Sequence, residues 1–538
     1  MMTAAAHVVA EGLDIGGPAH PLPLLVFVET DDTILENSDS VSWFHVRRDW
    51  RWEEYRALGA RYYEALYQFN QEAANKREEQ AAKSPNPEAK EEARQRELFE
   101  RPTMGNDQTA VLFEETRPPQ PIHIRPEEIA PGRVPARLAG KQPKCFFALF
   151  EAFLGVQLMG RAAEPEIVYD ELNNNPAFAR ACGFTPVDPY GHYHQSAVPS
   201  LRKLEQFDQI MTASGLWSQC KWETISANIQ SGQIKPEPEI VHDTTHYQAF
   251  STFEVVEYKD DKGKTQKKSQ SKVTKKCRCE DHEHCPHEWV LGDEGAGTVV
   301  KSTKKMYWAH KASVLGLPRQ GVPLDAVAVS DAATFDSRTL MPNLRRLFER
   351  LPETRDWFEY VLDDGAAYDH PLMEEIEDEF GLVLRASMNP RRRKPLTENL
   401  PRGMAKLTPY GELICRAEHT MDYRGVRGDT NCFIYGPPLD EHKQPCCASC
   451  PHKSTCCPGA KHGRQATIPF AALPHVRPED PPMGKRFKFM MKRRPAVERM
   501  IKRIKLDLGD PLLSKRGNAS FQARLDKSLI ALHILLHT

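Results

Sequence analysis

Arg494, Glu498 and Lys505 lie in a stretch, 485–505, where ten of twenty-one residues are Lys or Arg and Glu498 is the one acid. On a helix, Arg494 and Glu498 are i,i+4 neighbours. Lys505, seven residues beyond Glu498, falls near the same face. A lone carboxylate in a basic field suits a divalent cation held against a polyanion. The same pattern also describes a solvated basic helix with one salt bridge. Two acidic positions far upstream shift the balance: Asp243 in EIVHDTTHY, and the Asp363–Asp364 pair closing WFEYVLDD. Three hard oxygen donors with open positions suit Mg²⁺, which keeps waters and takes phosphate oxygens. Two such ions about 3.5–4 Å apart stabilise the attacking and leaving oxygens of an in-line phosphoryl displacement. Taken singly, Asp243 reads equally as a hydrogen-bonding turn residue and Asp364 as the N-cap of the next helix.

Positioning such side chains takes strands that end together and a helix packed on them. From about residue 238 the pattern turns strand-like. EIVHDTTHYQAFSTFEVVEY carries Asp243, and a lysine-rich hydrophilic insertion follows. TVVKS, MYWAHKASVL and LDAVAVS come next, then WFEYVLDD, and LVLRAS ends the series. SRTLMPNLRRLFERL, with Leu340, Leu344, Leu347 and Leu351 on one stripe, reads as an amphipathic helix. HPLMEEIEDEFG reads as a helix with Pro371 early and Gly381 as its stop. The order β-β-β-α-β-α-β is that of a ribonuclease-H-like core, an analogy at the level of fold. In such a sheet the first and fourth strands are neighbours, so Asp243 and Asp364 converge and a late helix packs Glu498 against them.

The expected fold class is therefore α/β: a ribonuclease-H-like mixed-sheet core, an N-terminal helical domain, and a Cys-rich insertion between the fifth strand and the Glu498 helix. The 538 residues suffice for several domains. Residues 1–140 read as a leader, a charged helix and a proline-rich linker, and 141–235 as the helical domain. Residues 236–387 are the first part of the core, with a Lys/Cys/His insertion at 256–297. The Cys-rich insertion covers 388–482, and 483–538 completes the core with a C-terminal amphipathic helix at 521–536. In the helical domain PKCFFALFEAFLGVQLMG is a buried helix, PEIVYDELNNNPAFARACGF a second ending at Gly183, and VPSLRKLEQFDQIMTASGLW a third. Such a bundle either docks on DNA, as helix-turn-helix modules do, or is purely structural.

The motifs VHDTTHY around Asp243, YVLDDGAAYDH around Asp364 and RRPAVERMIKRIK around Glu498 together resemble bacterial insertion-sequence transposases of the DDE type. The last fits that family's Tyr-x2-Arg-x3-Glu-x6-Lys signature at Arg494, Glu498 and Lys505, and departs from it at the tyrosine, where this chain has Met491. NNNPAFARACGF and VPSLRKLEQF resemble the family's N-terminal domain, and the resemblance spans roughly 140–510. The family's Asp-x2-Tyr spacing is met by neither acid of the pair, since Tyr368 follows Asp364 by four and Asp363 by five. Asp364 is favoured because it follows the apolar strand, with Asp363 in reserve. The resemblance implies a DNA transposase that cuts element ends at terminal inverted repeats and transfers the strand into target DNA. It implies Asp243, Asp364 and Glu498 as ligands of two Mg²⁺ (or Mn²⁺) ions. Arg494, Lys505, Lys502 and Arg499 would then contact double-stranded DNA, and a homodimer would hold paired ends. The same residues also fit an inactive, transposase-derived DNA-binding protein.

Thirteen cysteines is an odd count, and eight fall in two clusters. Clustered cysteines beside histidines read first as metal ligands. QPCCASCPHKSTCCPG offers Cys447, Cys450 and Cys456, and KKCRCEDHEHCPHEW offers Cys277, Cys279 and Cys285, for structural Zn²⁺. Reduced, non-ligating thiols are the alternative, and a zinc-organised interaction protein is a further reading of the whole. The net charge of −2 supplies no global field for nucleic acid. Positive charge is local, in 485–505, in 391–394 and in eight lysines within 259–276, of which the last two read equally as solvated loops. MMTAAAHVVAEGLD lacks the basic region and apolar core of a signal peptide. The densest apolar stretch, 145–159, is interrupted by Glu151 and too short to cross a bilayer. A cytoplasmic, nucleoid-associated bacterial protein without a membrane partner is expected.

Overall fold

The computed structural model describes residues 52–83, 122–130, 134–135, 144–184, 197–259, 261, 263–275, 284–302, 305–387, 394–474, 476–509 and 511–537. Among the described residues six α-helices come first: α1 (Arg56–Lys83), α2 (Phe146–Leu158), α3 (Pro165–Asn174), α4 (Pro176–Ala181), α5 (Leu201–Ala213) and α6 (Leu216–Gln230). α2 is mostly apolar and buried on every side, its Glu151 and Gln157 included. Its Phe150 stacks on Trp217 of α6, and its Phe153 packs on Phe207 of α5. The helix expected to end at Gly183 is two helices. Pro176 has no N–H to continue α3, and the Asn175 side chain accepts the Phe178 N–H at 3.0 Å, capping α4.

The sheet follows. β1 (Glu239–Gln248) pairs antiparallel with β7 (Lys305–Leu317), which pairs antiparallel with both β6 (Gly297–Ser302) and β8 (Val322–Ala328). On its other edge β1 pairs parallel with β9 (Tyr360–Asp363), and β9 parallel with β10 (Val383–Ala386). The lysine-rich segment is not a plain loop. It forms a hairpin of β2 (Phe253–Lys259) with β3 (Thr265–Ser271), followed by β4 (Val273–Lys275) paired with β5 (Trp289–Leu291). α7 (Ser337–Arg350) and α8 (His370–Phe380) link the later strands of the mixed sheet and cover one face. Leu340, Leu344 and Leu347 of α7 and Ile376 of α8 pack there on Ile240, Leu315, Leu324 and Val361. Each such fully buried side chain contributes about 1.5–3 kcal/mol over the exposed state.

The Cys-rich region builds its own core from β11 (Met404–Leu407), β12 (Leu413–Cys415), β13 (Asp422–Arg427), β14 (Cys432–Gly436) and β15 (Ala466–Pro469), with the one-turn helix α9 (Lys453–Cys456) on a loop. Its return leg docks on the main sheet through Arg477 to Glu377 of α8, 2.6 Å, and Arg385 of β10 to Asp480. The basic stretch 485–505, expected as one helix, is α10 (Lys485–Met491), a turn, α11 (Ala496–Lys502) and a π-helical turn (Arg503–Asp507). Pro495 sits at the break, where it has no N–H to continue the helical ladder.

α12 (Asn518–Ile534) is buried nearly throughout rather than one-sided, because it lies between the helical region and the sheet. Ala523, Ile530 and Ile534 join the helical core. Leu525, Leu529 and Leu532 join Val241, Val314, Leu362, Val497 and Met500 under the second sheet face. Where α6, β8 and α12 meet, Lys221 Nζ lies 2.6 Å from Asp325 and 3.1 Å from Asp526, all three out of solvent. Removing one member of such a group leaves uncompensated buried charge. Lys221→Ala is therefore expected to cost about 3–5 kcal/mol in chemical denaturation, and a loss under 1 kcal/mol would contradict the role given to this ion group.

Candidate active site

β1 and β9 pair with Glu239 opposite Tyr360, Ile240 opposite Val361 and Val241 opposite Leu362. Side chains alternate across a strand, and the packing fixes which way. Ile240 and Val361 face the core under α7 and α8, while Val241 and Leu362 face the core under α11 and α12. The recorded pairing ends at Val241 opposite Leu362; just beyond it His242 meets Asp363 on the α7 side, Asp243 meets Arg494 on the α11 side, and Asp364 follows the end of β9. The chain is still extended at Asp364, with φ −86° and ψ −176°.

Asp363 is the buried acid of the pair. Its Oδ2 lies 2.7 Å from Nδ1 of His242, whose Nε2 lies 2.9 Å from the Ser313 hydroxyl. Asn343 of α7 donates to that hydroxyl at 3.0 Å. Burial opposes charging the imidazole, but the Asp363 carboxylate outweighs it and holds the His242 pKa above its ordinary range. Asp364 is half-buried, and its Oδ1 accepts the Ala366 N–H at 2.7 Å, capping a short 3₁₀ turn (Gly365–Ala367).

On the α11 side Arg494 joins two of the acids. One terminal nitrogen is 2.9 Å from Asp243 Oδ2 and the other 2.7 Å from Glu498 Oε1. A strand carboxylate and a helix carboxylate therefore lie within the span of one guanidinium fork. The Pro495 break places Arg494 in the turn before α11. Glu498 sits in the first turn of α11, where the helix dipole favours a carboxylate. Exposure rises outward, from 16 % at Arg494 and 21 % at Asp243 to 60 % at Glu498, so the group opens to solvent on the Glu498 side. Burial pushes the Asp243 carboxyl up to about 6, with Arg494 and the Thr244 N–H pulling the other way and Asp363 adding to the rise.

The remaining basic residues are spread along the same segment. Lys505 donates to the His246 carbonyl of β1 and lies 4.9 Å from the Tyr247 ring centre, carried there by the π-helical turn. Arg499 and Lys502 are exposed on α11, with Lys502 3.6 Å from Asp507. Two neighbours of the acids escaped the sequence reading, His242 and Asp336. Asp336 accepts from Thr244 Oγ1 and Lys311 Nζ, each at 2.8 Å. Their signal was the period-two alternation that turns His242 and Thr244 to the face opposite Asp243.

Three carboxylates suit a hard divalent cation, and the gap between Asp243 and Glu498 already holds positive charge, the Arg494 guanidinium. Among the described residues no three His, Cys, Asp or Glu side chains gather closely enough to hold an ion as they lie. Cys447, Cys450 and Cys456 line one cavity of the Cys-rich region. Cys277, Cys279 and most of the 391–394 run lie outside the described residues, while Cys285 lies within them. Among the described residues no helix is long and apolar enough to cross a membrane.

No family model matches the sequence. No curated protein matches it either. Among solved structures the chain is similar to one described as a cryo-EM structure of the piggyBac transposase synaptic complex with hairpin DNA. The TM-score is 0.28 and the identity 9 %, over 72 % of this chain and 65 % of that one, so the chain spans under two thirds of that protein's length. At that TM-score no residue or role carries over from one to the other.

Arg494 lowers the Asp243 pKa and burial raises it. Arg494→Ala is expected to move the Asp243 titration, followed by carboxyl-carbon NMR, above about 6. A downward shift would contradict the observed pairing.

Proposed function

We propose that this chain is a metal-dependent DNA transposase of the DDE type, built on a ribonuclease-H-like core. The observation that carries the reading is the Arg494 fork that ties Asp243 to Glu498, with Asp364 just past the end of β9, the strand paired parallel with β1. The strand order β8-β7-β1-β9-β10, with the last two pairings parallel, supports it, since it brings the first and fourth core strands together.

In this reading Asp243, Asp364 and Glu498 hold two Mg²⁺ or Mn²⁺ ions. Bound there, such ions would supply a water of lowered pKa and neutralise charge on the scissile phosphate. The reaction is hydrolysis of a phosphodiester at each element end, freeing a 3′-hydroxyl, followed by attack of that hydroxyl on a second phosphodiester in the opposite strand or in target DNA. Each step exchanges one P–O bond for another and needs neither a covalent enzyme intermediate nor an external energy source.

The chain's own residues have distinct tasks. Arg494 neutralises Asp243 and Glu498 while they are empty of metal, and turns to a DNA phosphate when they are filled. His242 and Asp363 stand behind the site on the far face of β1 and β9 and hold the two strand ends in register. Arg499, Lys502 and Lys505 bind phosphates of the element end, so binding weakens steeply with salt. The helical region reads the terminal inverted repeats. A homodimer pairs two ends, and the protein acts in the bacterial cytoplasm at the nucleoid.

A supercoiled plasmid carrying the DNA that flanks the gene, with Mg²⁺ or Mn²⁺, tests this. Asp243→Asn, Asp364→Asn and Glu498→Gln are each expected to lower strand cleavage at least a thousandfold while a gel shift with the same DNA persists. Asp363→Asn is expected to keep cleavage, provided the protein stays folded. Loss in Asp363→Asn with retention in Asp364→Asn would exchange their roles, and folded wild-type protein that binds without cutting would leave a DNA-binding protein. Acidity supplies a second test. Metal and proton compete for the Asp243 carboxylate, whose pKa lies at about 6. At metal concentrations well below saturation, cleavage should hold steady above that pH and fall about tenfold per unit below it. A rate unchanged down to pH 5 would remove Asp243 from the metal set.

A further inference from the structure

We propose that the Cys-rich region holds one structural zinc ion, ligated by Cys447, Cys450 and one thiol of the Cys456–Cys457 pair, with Cys415 as the fourth ligand. The site is separate from the three acids and does not rest on the transposase reading.

The thiols come from three places in the chain. Cys447 lies in a 3₁₀ turn (Cys446–Ser449) that Cys450 closes, and the Cys450 N–H points back to the Cys447 carbonyl at 3.4 Å. Two-residue spacing on a tight turn is a preferred zinc-ligand loop. Cys456 ends α9 and Cys457 follows it. Cys415 ends β12, on a hairpin in which its N–H donates to the His419 carbonyl at 3.0 Å. All five line one cavity. Cys415 had no signal in the sequence, because it lies thirty-two residues before Cys447 with no cysteine partner of its own nearby.

The cavity walls leave room for sulfur. Gly403 and Gly463 have φ of +83° and +90°, where side chains are disfavoured. A Cβ at Gly403 would overlap the Cys456 sulfur, and one at Gly463 the Cys447 sulfur. The rim is cationic: Arg416, Lys453 and Arg464 line the same cavity, and Arg464 donates to the Cys456 carbonyl at 2.9 Å. A zinc ion with four thiolates carries net charge of about −2, which these three side chains offset. Burial holds the Cys447 thiol above its usual range, and the nearby thiols of Cys457, Cys450 and Cys415 add to that. Zinc reverses this penalty, because it binds the deprotonated form.

The sulfurs border the cavity rather than meeting at its centre, and ligation requires them to turn between staggered side-chain positions. Among the described residues none of the cysteines lining this cavity forms a disulfide. Closing the set would pin the β11–β12 hairpin to the α9 loop. That adds a metal crosslink to a core made of short strands.

The test measures zinc in the full-length purified protein by plasma mass spectrometry, as wild type and variants. Cys415→Ser and Cys447→Ser are each expected to lose one zinc per chain relative to wild type. Cys432→Ser, whose thiol lies outside the cavity and contacts the Thr430 carbonyl, is expected to lose none. Cys456→Ser and Cys457→Ser should divide, one losing the ion and the other keeping it. Because a ligand variant can fail to fold, wild-type protein is also stripped with chelator and titrated with Co²⁺. The intense visible absorption of tetrahedral cobalt thiolate is expected. Wild-type zinc content equal to that of Cys415→Ser, a cobalt spectrum lacking thiolate bands, or a disulfide among these cysteines in the purified protein would each overturn the proposal.

Discussion

The parallel pairing of β1 with β9 is the constraint on which the site depends. With Val241 opposite Leu362, alternation sorts the acidic strand ends onto two faces. Asp243 goes toward α11, where Arg494 meets it, and His242 goes toward α7 with Asp363 against it. A slip of one residue would exchange the two sets and bury the wrong carboxylates. The register resists slipping because each face is already committed. Ile240 and Val361 are fully buried in one core, and Val241 and Leu362 in the other. The His242–Asp363 pair ties the two strands together just past the last paired residues.

Charge balance shapes the rest of the site. Asp243 is mostly out of solvent, and an uncompensated carboxylate there would be costly. Arg494 supplies the compensation and links β1 to α11. It can do so because Pro495 interrupts the basic segment and lets the turn before α11 fold back on the strand. α12 holds the assembly from behind, with one side in the helical core and the other under the sheet. The helical region and the sheet are therefore joined through a buried helix and a buried ion group rather than through a loose linker.

The strands and helices of the central sheet were legible because their patterns are strong. The alternation in EIVHDTTHY and the leucine stripe of α7 each have one stable reading. So was the Arg494–Glu498 pair, whose spacing survives the helix break because four residues still span one turn. Other features were not legible, for physical reasons. Pro176 and Pro495 each divide a segment read as one helix, since apolar periodicity runs on across a break that only the missing N–H enforces. The lysine-rich segment reads as solvated by charge, yet β2 and β3 pair through backbone groups that composition does not report. Asp363 and Asp364 follow the same apolar strand, and only the fold shows that Asp363 is buried against His242 while Asp364 caps the next turn. His242 and Asp336 went unread because their partners lie 121 and 92 residues away in sequence.

The central claim is that Asp243, Asp364 and Glu498 form one metal site whose place Arg494 holds. Anomalous diffraction from crystals of the full chain soaked in Mn²⁺ tests it most directly. The account predicts manganese peaks bounded by those three carboxylates, with the Arg494 side chain turned away from Asp243. Manganese bound elsewhere, or no peak at the acids while Arg494 keeps its grip on Asp243 and Glu498 at saturating metal, would contradict it.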